Sequence, residues 1–182
     1  MVYNNQISIL KSMLENNVTH EEILKKMTEE IKSIQSDLPC GINFIIKNEL
    51  GEILLLKRKS TLGSGTWSLC GGHLKEDETF EETAKRECFE ELGIIVDVKD
   101  VEVISLADTN RQRRYLQIGV LINKYEGIPS IKEPNKAEEL MWANESNLPD
   151  NLFFATEPQI RLYFKNKFYD KSENIYIEYK EN

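Results

Sequence analysis

The sequence predicts an α/β sandwich, and three observations carry that expectation. From residue 42 onward, short runs rich in aliphatic and β-branched residues recur, two helical patterns interrupt them, and no internal repeat or low-complexity linker breaks the order. Ahead of Pro39 the texture is polar and helical. Residues 1–37 are therefore expected to form an N-terminal helical extension, residues 38–170 the main domain and residues 171–182 a C-terminal tail.

The extension reads as two helices, residues 6–15 and 21–35. Thr19, followed three residues later by Glu22, is a capping-box pattern. Ile23, Met27, Ile31 and Ile34 then recur at helical spacing, an apolar stripe that needs a partner. The body of the domain, a second copy in a homodimer and a regulatory contact all remain open for it. The region has no basic recognition helix, which argues against a helix-turn-helix DNA reader.

Residues 42–46 and 53–57, joined by Asn48-Glu49-Leu50-Gly51, predict a hairpin. It feeds a glycine-rich loop, Gly63-Ser64-Gly65-Thr66-Trp67-Ser68-Leu69-Cys70-Gly71-Gly72. A helix follows, entered at Thr79 with Glu82 three residues on, as in a capping box. Residues 94–98, 101–107, 115–122 and 139–143 are strand candidates. Residues 144–150 read as a loop, residues 157–167 as a helix, and residues 174–179 alternate enough for a strand.

The helix after Thr79 carries the chemistry. At about 100° per residue, Phe80, Ala84, Cys88 and Leu92 fall on one stripe that should face a core. With Cys88 at the origin, Glu91 lies at about −60°, Glu87 at about −100° and Glu90 at about −160°. Three carboxylates thus share an arc beside the apolar stripe. Like charges at these spacings repel by about 0.2–0.5 kcal/mol per pair, and a divalent cation would reverse that sign. Hard oxygen ligands in this number suit Mg²⁺ or Mn²⁺.

The segment Gly72-x5-Glu78-x7-Arg86-Glu87-Cys88-x-Glu90-Glu91-x-Gly93-Ile94 resembles the Nudix box of the Nudix hydrolases. Cys88 stands where the family usually has an aliphatic residue, and cysteine behaves as a small hydrophobe. The resemblance implies a Nudix α/β/α sandwich with a mixed sheet. It implies that Glu87, Glu90 and Glu91 bind Mg²⁺ or Mn²⁺, that the Gly71 carbonyl adds a ligand, and that Arg86 and Glu78 hold loop and helix in position. Gly72 and Gly93 are then structural members of the motif.

The same resemblance implies hydrolysis of a diphosphate linkage in a nucleoside diphosphate joined to another moiety. A nucleoside triphosphate would give the monophosphate and pyrophosphate. Glu87 is the first candidate for the general base, and Glu138 or Glu139 the alternative. Outside the box, Lys57-Arg58-Lys59, Gly71-Gly72-His73-Leu74, the run from Glu133 to Trp142 and residues 147–154 resemble MutT-like, MutT-homologue-3-like triphosphate pyrophosphohydrolases. By that resemblance Arg58 and His73 approach phosphates or sugar, and Leu140 lines the base pocket.

Two departures leave the base open: Cys70 where relatives often carry proline, and Leu140 where they often carry an aromatic. Plainer roles stand beside these. Arg58 could be solvated, His73 could bond only the loop, Trp67 and Trp142 could be core, and Arg111, Arg113 and Arg114 could form a solvated loop.

Composition narrows the classes further. A net charge of −8 opposes binding to a nucleic-acid polymer, which needs a basic face. No run is apolar for the length of a membrane span, and the first residues lack a signal-peptide layout, so a cytoplasmic protein with no membrane partner is expected. Cys40, Cys70 and Cys88 are odd in number and widely spaced, which supports neither a disulfide framework nor a zinc site. Cleavage of a nucleotide sugar, ADP-ribose or dinucleoside polyphosphate is the same-fold alternative. A nucleotide-sensing binding module is the alternative of another class, opposed by the intact acids at 87, 90 and 91.

Overall fold

The computed structural model describes residues 39–110 and 114–174, together with Thr19, Glu22 and Lys25. The chain divides into two compact units, Met1–Leu38 and Pro39–Asn182. In the first, Glu22 and Lys25 are helical. Glu22 N donates to the Thr19 hydroxyl at 3.3 Å and Thr19 N donates to Glu22 Oε2 at 3.1 Å, so this capping box forms. The rest of both expected helices, the apolar stripe from Ile23 to Ile34, Arg111, Arg113 and the tail strand beyond Asn174 lie outside the described residues.

The second unit runs β1 (Cys40–Ile46), β2 (Ile53–Arg58), β3 (Trp67–Ser68), β4 (Cys70–His73), α1 (Phe80–Leu92), β5 (Val101–Asn110), β6 (Arg114–Ile122), β7 (Ala137–Ala143) and α2 (Glu157–Phe164). One sheet has the order β4-β1-β6-β5 and the other β3-β2-β7. β1 and β6 pair in parallel, from Cys40 opposite Leu116 to Ile46 opposite Ile122, whereas β1–β4 and β5–β6 are antiparallel, so the larger sheet is mixed. No helix among the described residues is long and apolar enough to cross a membrane.

The hairpin expected of the first two strands does not form. The turn itself closes, with the Asn48 side-chain oxygen accepting from the Leu50 and Glu52 amides. Beyond a bridge between Lys47 and Ile53, however, β1 and β2 part into different sheets. Phe44, Ile45, Ile46, Ile53, Leu54 and Leu55 are consecutive in their strands and all buried. A strand with both faces covered reads as such an unbroken apolar run and needs layers on two sides.

For β1, one layer is the smaller sheet together with α2 and the other is α1. Ile45 packs in one cluster with Ile53, Leu55, Trp67, Leu69, Ala143 and Ile160 of α2, while its neighbours Phe44 and Ile46 point to the opposite face. α1 packs against β1, β4, β5 and β6, and α2 against β5 and β6. The result is the α/β/α sandwich expected from the sequence.

α1 forms for the local reasons its sequence suggests. Thr79 and Glu82 complete a reciprocal capping box, Glu81 and Glu82 sit in the positive first turn, and Phe80, Ala84, Cys88 and Leu92 are all buried. Gly93 ends the helix at φ 70°, a left-handed position open to glycine, with its N–H on the carbonyls of Cys88 and Phe89.

Three further differences are local. Residues 94–98 make only an Ile95–Glu126 bridge before a 3₁₀ turn at Val98–Asp100, capped by Asp97. α2 stops at Phe164, short of the expected residue 167. The glycine-rich loop contributes β3 and β4, the latter lying against β1 so closely that a Cβ at Gly71 would sit 2.6 Å from the Ile42 carbonyl oxygen.

Candidate active site

β4 lies along the boundary between two cavities. One, of about 470 Å³, is lined by Glu87, Glu91, Glu133, Lys75, Lys136 and Leu140 among others. The other, of about 410 Å³, is lined by Asn43, Thr109, Tyr115, Gln117, Phe153 and Phe154 among others. Arg58, Leu69, Gly71, Gly72 and His73 line both. One cavity therefore presents charge and the other presents rings and amides, with a glycine-rich strand between them.

Arg86 is the hub of the charged side. Its guanidinium forks onto Glu78, Nε to Oε1 at 2.5 Å and Nη2 to Oε2 at 2.7 Å, and Thr83 Oγ1 adds a bond to Oε2 at 3.0 Å. Nη1 reaches Glu87 at 2.6 Å and Glu90 at 3.3 Å, and Nη2 reaches the His73 carbonyl at 3.4 Å. The loop after β4 is thus clamped to α1 by bidentate, charge-assisted bonds. The Arg86 hydrogen bond holds the Glu78 carboxyl down at about 2, with Thr83 assisting against partial burial.

Glu91 stands in the opposite electrostatic situation. Its Oε2 accepts from the Cys70 thiol at 2.7 Å and from Gly71 N–H at 3.4 Å. Burial pushes its pKa up and the charge of Glu87 adds to the rise, with the Cys70 and Gly71 bonds opposing. Glu87 lies directly over Gly72, where a Cβ would sit 2.2 Å from its Oε1. The Cys70 and Cys40 thiols are raised by burial, Cys40 to about 12, so neither is poised as a thiolate.

Arg58 bonds the Leu62 carbonyl at 3.1 Å and Ser60 Oγ at 2.9 Å, and its guanidinium lies 3.9 Å from the centroid of the Phe153 ring. Burial lowers its pKa and Glu91 opposes that, but a guanidinium stays charged throughout. It therefore brings a cation to the junction of the cavities. His73 is exposed there, with a ring nitrogen against the Tyr115 hydroxyl.

The sequence-predicted residues separate into groups. Glu87, Glu91, Gly71, Gly72, Arg58, His73 and Leu140 come together around the charged cavity. Glu90 does not line it and stands outside, more than half exposed, against Arg86. Leu140 lies on the charged side, whereas the rings of the other cavity belong to Phe153, Phe154 and Tyr115. Glu138 and Glu139 are exposed and pair with Lys57 at 3.3 and 3.4 Å, outside both cavities. Trp67 is core, and Arg114 pairs with Asp108 at 2.8 Å.

Among the described residues, no three His, Cys, Asp or Glu side chains are gathered closely enough to hold a metal ion as they stand. Two of the three predicted carboxylates nonetheless fit a divalent cation. Glu87 and Glu91 face one cavity, and the ionised form of Glu91 is penalised by burial and by its acidic neighbour. A cation between them would remove that penalty.

Sequence reasoning missed Asn43 and Gln117. The available signal was a polar residue at a buried position of the apolar run Ile42-Asn43-Phe44-Ile45-Ile46.

The NUDIX domain family matches residues 38–163 of this chain. An ADP-ribose pyrophosphatase of Methanocaldococcus jannaschii is 30% identical over 148 residues, 81% of this chain and 85% of that protein. An oxidized purine nucleoside triphosphate hydrolase of Danio rerio is 25% identical over 122 residues, 64% of this chain and 73% of that protein. Among solved structures, a MutT NUDIX hydrolase from Burkholderia pseudomallei superposes with a TM-score of 0.63 at 28% identity, over 72% of this chain and 98% of that one.

Proposed function

The chain belongs to the NUDIX family of hydrolases, and from that premise we propose that it cleaves nucleoside triphosphates to the monophosphate and pyrophosphate with Mg²⁺. The observation that carries this reading is the pair of cavities on either side of β4. A nucleotide has the matching division, a polyanion joined through a sugar to a flat ring.

Glu87 and Glu91 would hold the cation, with the Gly71 carbonyl as a further ligand; Glu90, the third acid of the motif, would have to turn from Arg86 to join them. Bound there, Mg²⁺ supplies neutralisation of phosphate charge and acidification of water. Arg58, Lys75 and Lys136 line the same cavity and offer cations to the phosphate oxygens. Water attacks phosphorus, the bridging P–O bond breaks toward the leaving phosphate, and the water proton passes to a carboxylate. Glu87 is our choice for that base, because Glu138 and Glu139 stand outside the cavity. Arg86 and Glu78 do not touch the substrate in this scheme and keep Glu87 and the loop in place. We place this chemistry in the cytoplasm.

ADP-ribose is a second reading, favoured by the name of the M. jannaschii relative. The experiment is a panel of normal and oxidised nucleoside triphosphates and ADP-ribose with Mg²⁺, its products separated by ion exchange. Pyrophosphate with a nucleoside monophosphate is the expected result. Turnover of ADP-ribose alone would transfer the protein to the second reading, and binding without any turnover would overturn hydrolysis in favour of nucleotide sensing.

A further inference from the structure

Two buried carboxamides take no part in the phosphate chemistry above. Asn43 of β1 and Gln117 of β6 are 5% and 6% exposed, and both line the ring-walled cavity. Asn43 Nδ2 donates to Gln117 Oε1 at 2.9 Å. That bond leaves Asn43 Oδ1 and Gln117 Nε2 without a hydrogen-bond partner among the described residues. Neither unused atom is among the sealed, unbonded polar atoms of the described residues, so both ends open toward the cavity, where a polar ligand can bond them. Turning both amides end for end changes nothing in the tally: the pair still presents one acceptor beside one donor.

The surroundings keep this pair in place and leave it reachable. A Cβ at Gly41 would stand 2.6 Å from Gln117 Oε1, so only glycine leaves room for that side chain as it lies. The same cavity is walled by Phe153 and Phe154, whose ring centroids are 4.7 Å apart. Flat apolar walls with an adjacent acceptor and donor complement a heteroaromatic ring whose edge carries a donor beside an acceptor. A sugar presents hydroxyls and no flat face.

We infer that Asn43 and Gln117 read the edge of the nucleobase and set base choice at this site. The inference rests on the nucleotide reading above and names the residues that would select within it. Adenine offers N1 as acceptor beside the N6 donor, and guanine offers O6 beside N1–H, so the native pair accepts either edge. Gln117→Glu changes that. The glutamate keeps an acceptor for Asn43 Nδ2 and replaces the free donor with a second acceptor. Guanine can meet two acceptors with N1–H and N2–H; adenine cannot. Asn43→Asp reaches the same pattern from the other strand, because Gln117 then turns to donate to the aspartate.

The test is calorimetric binding of the α,β-methylene analogues of GTP and ATP, which reports base choice without turnover. Both variants should move the GTP-to-ATP affinity ratio toward guanine by at least about tenfold, the scale of one charge-assisted hydrogen bond. A ratio within about twofold of wild type, in whichever variant keeps its thermal unfolding midpoint, overturns the inference. So does a wild-type protein that binds neither analogue. A shifted ratio in a protein that hydrolyses no triphosphate would retain the base-reading pair and remove the hydrolytic reading instead.

Discussion

The Cys70 thiol donates to Glu91 Oε2 at 2.7 Å, tying β4 to the last turn of α1 at one of the carboxylates proposed to hold the cation. Gly71 N–H aims at the same oxygen from 3.4 Å, so two donors fix the side of the carboxylate turned away from solvent. Partners that orient a metal ligand typically influence affinity about 10–100-fold. Cys70→Ala should therefore weaken Mn²⁺ binding, followed by the electron paramagnetic resonance signal of free Mn²⁺, by about tenfold. Cys70→Ser keeps a donor and should recover most of it. Wild-type affinity in the alanine variant would show that the thiol does not position Glu91.

Glu91→Gln preserves shape and removes the charge. Burial, and then the charge of Glu87, penalise the ionised form of this carboxyl, a penalty the neutral amide escapes, so the variant should fold at least as stably as wild type. Its kcat should nevertheless fall by at least about 100-fold, because cation binding needs the ionised form. Near-normal turnover would take Glu91 out of the proposed metal site.

The contrast between α1 and its surroundings explains what the sequence could reveal. A capping box, an apolar stripe and a terminal glycine act within one helix, so α1 and its buried Phe80, Ala84, Cys88 and Leu92 were legible residue by residue. Strand partners are not local. The turn at Asn48 closes just as a hairpin would, yet the layers above and below decide that β1 pairs with β6 and β4. The same limit applied to the site. Helical angles placed Glu87, Glu90 and Glu91 on one arc, but the cavity wall comes from β4, Ile131 to Lys136 and β7, which enclose Glu87 and Glu91 and leave Glu90 with Arg86. Asn43 and Gln117 are 74 positions apart, and only the parallel pairing of β1 with β6 makes them a unit.

Acid should loosen the protein partly through Glu78. The Arg86 fork lowers the Glu78 pKa from 4.5 to about 2, so the folded state binds this proton less tightly than the unfolded chain. The stabilisation is fully present above the unfolded value and disappears as pH falls from about 4.5 toward 2. Glu78→Gln should lower unfolding free energy at pH 7 by about 1.5–3 kcal/mol, the range for a hydrogen bond to a charged group. It should also flatten the decline below pH 4.5 in urea titrations. Parallel declines in wild type and variant would assign the acid sensitivity to other carboxylates.

Two glycines of the Nudix box should fail in different ways when given a methyl group. At Gly72 the three atoms nearest to a Cβ would all belong to Glu87, 2.2 Å to Oε1, 2.3 Å to Cδ and 2.5 Å to Cγ, and the backbone there is not left-handed. Gly72→Ala must therefore displace the Glu87 side chain from its place beside Arg86, while the chain around it carries no conformational strain. At Gly93 the φ of 70° is itself unfavourable for alanine, and a Cβ would sit 2.3 Å from Lys132 Cε. Lysine can swing away, so the cost there is mainly backbone, of order 1–2 kcal/mol. For a domain of this size that corresponds to a melting temperature lower by about 2–8 °C. Gly93→Ala should accordingly melt early and keep most of its kcat, whereas Gly72→Ala should melt near wild type and lose kcat by about tenfold or more, as misplaced catalytic groups do. Thermal unfolding and single-substrate kinetics on the two variants measure both quantities. Full turnover in Gly72→Ala would show that Glu87 works from another position, and the assignment of Glu87 as base would fall with it.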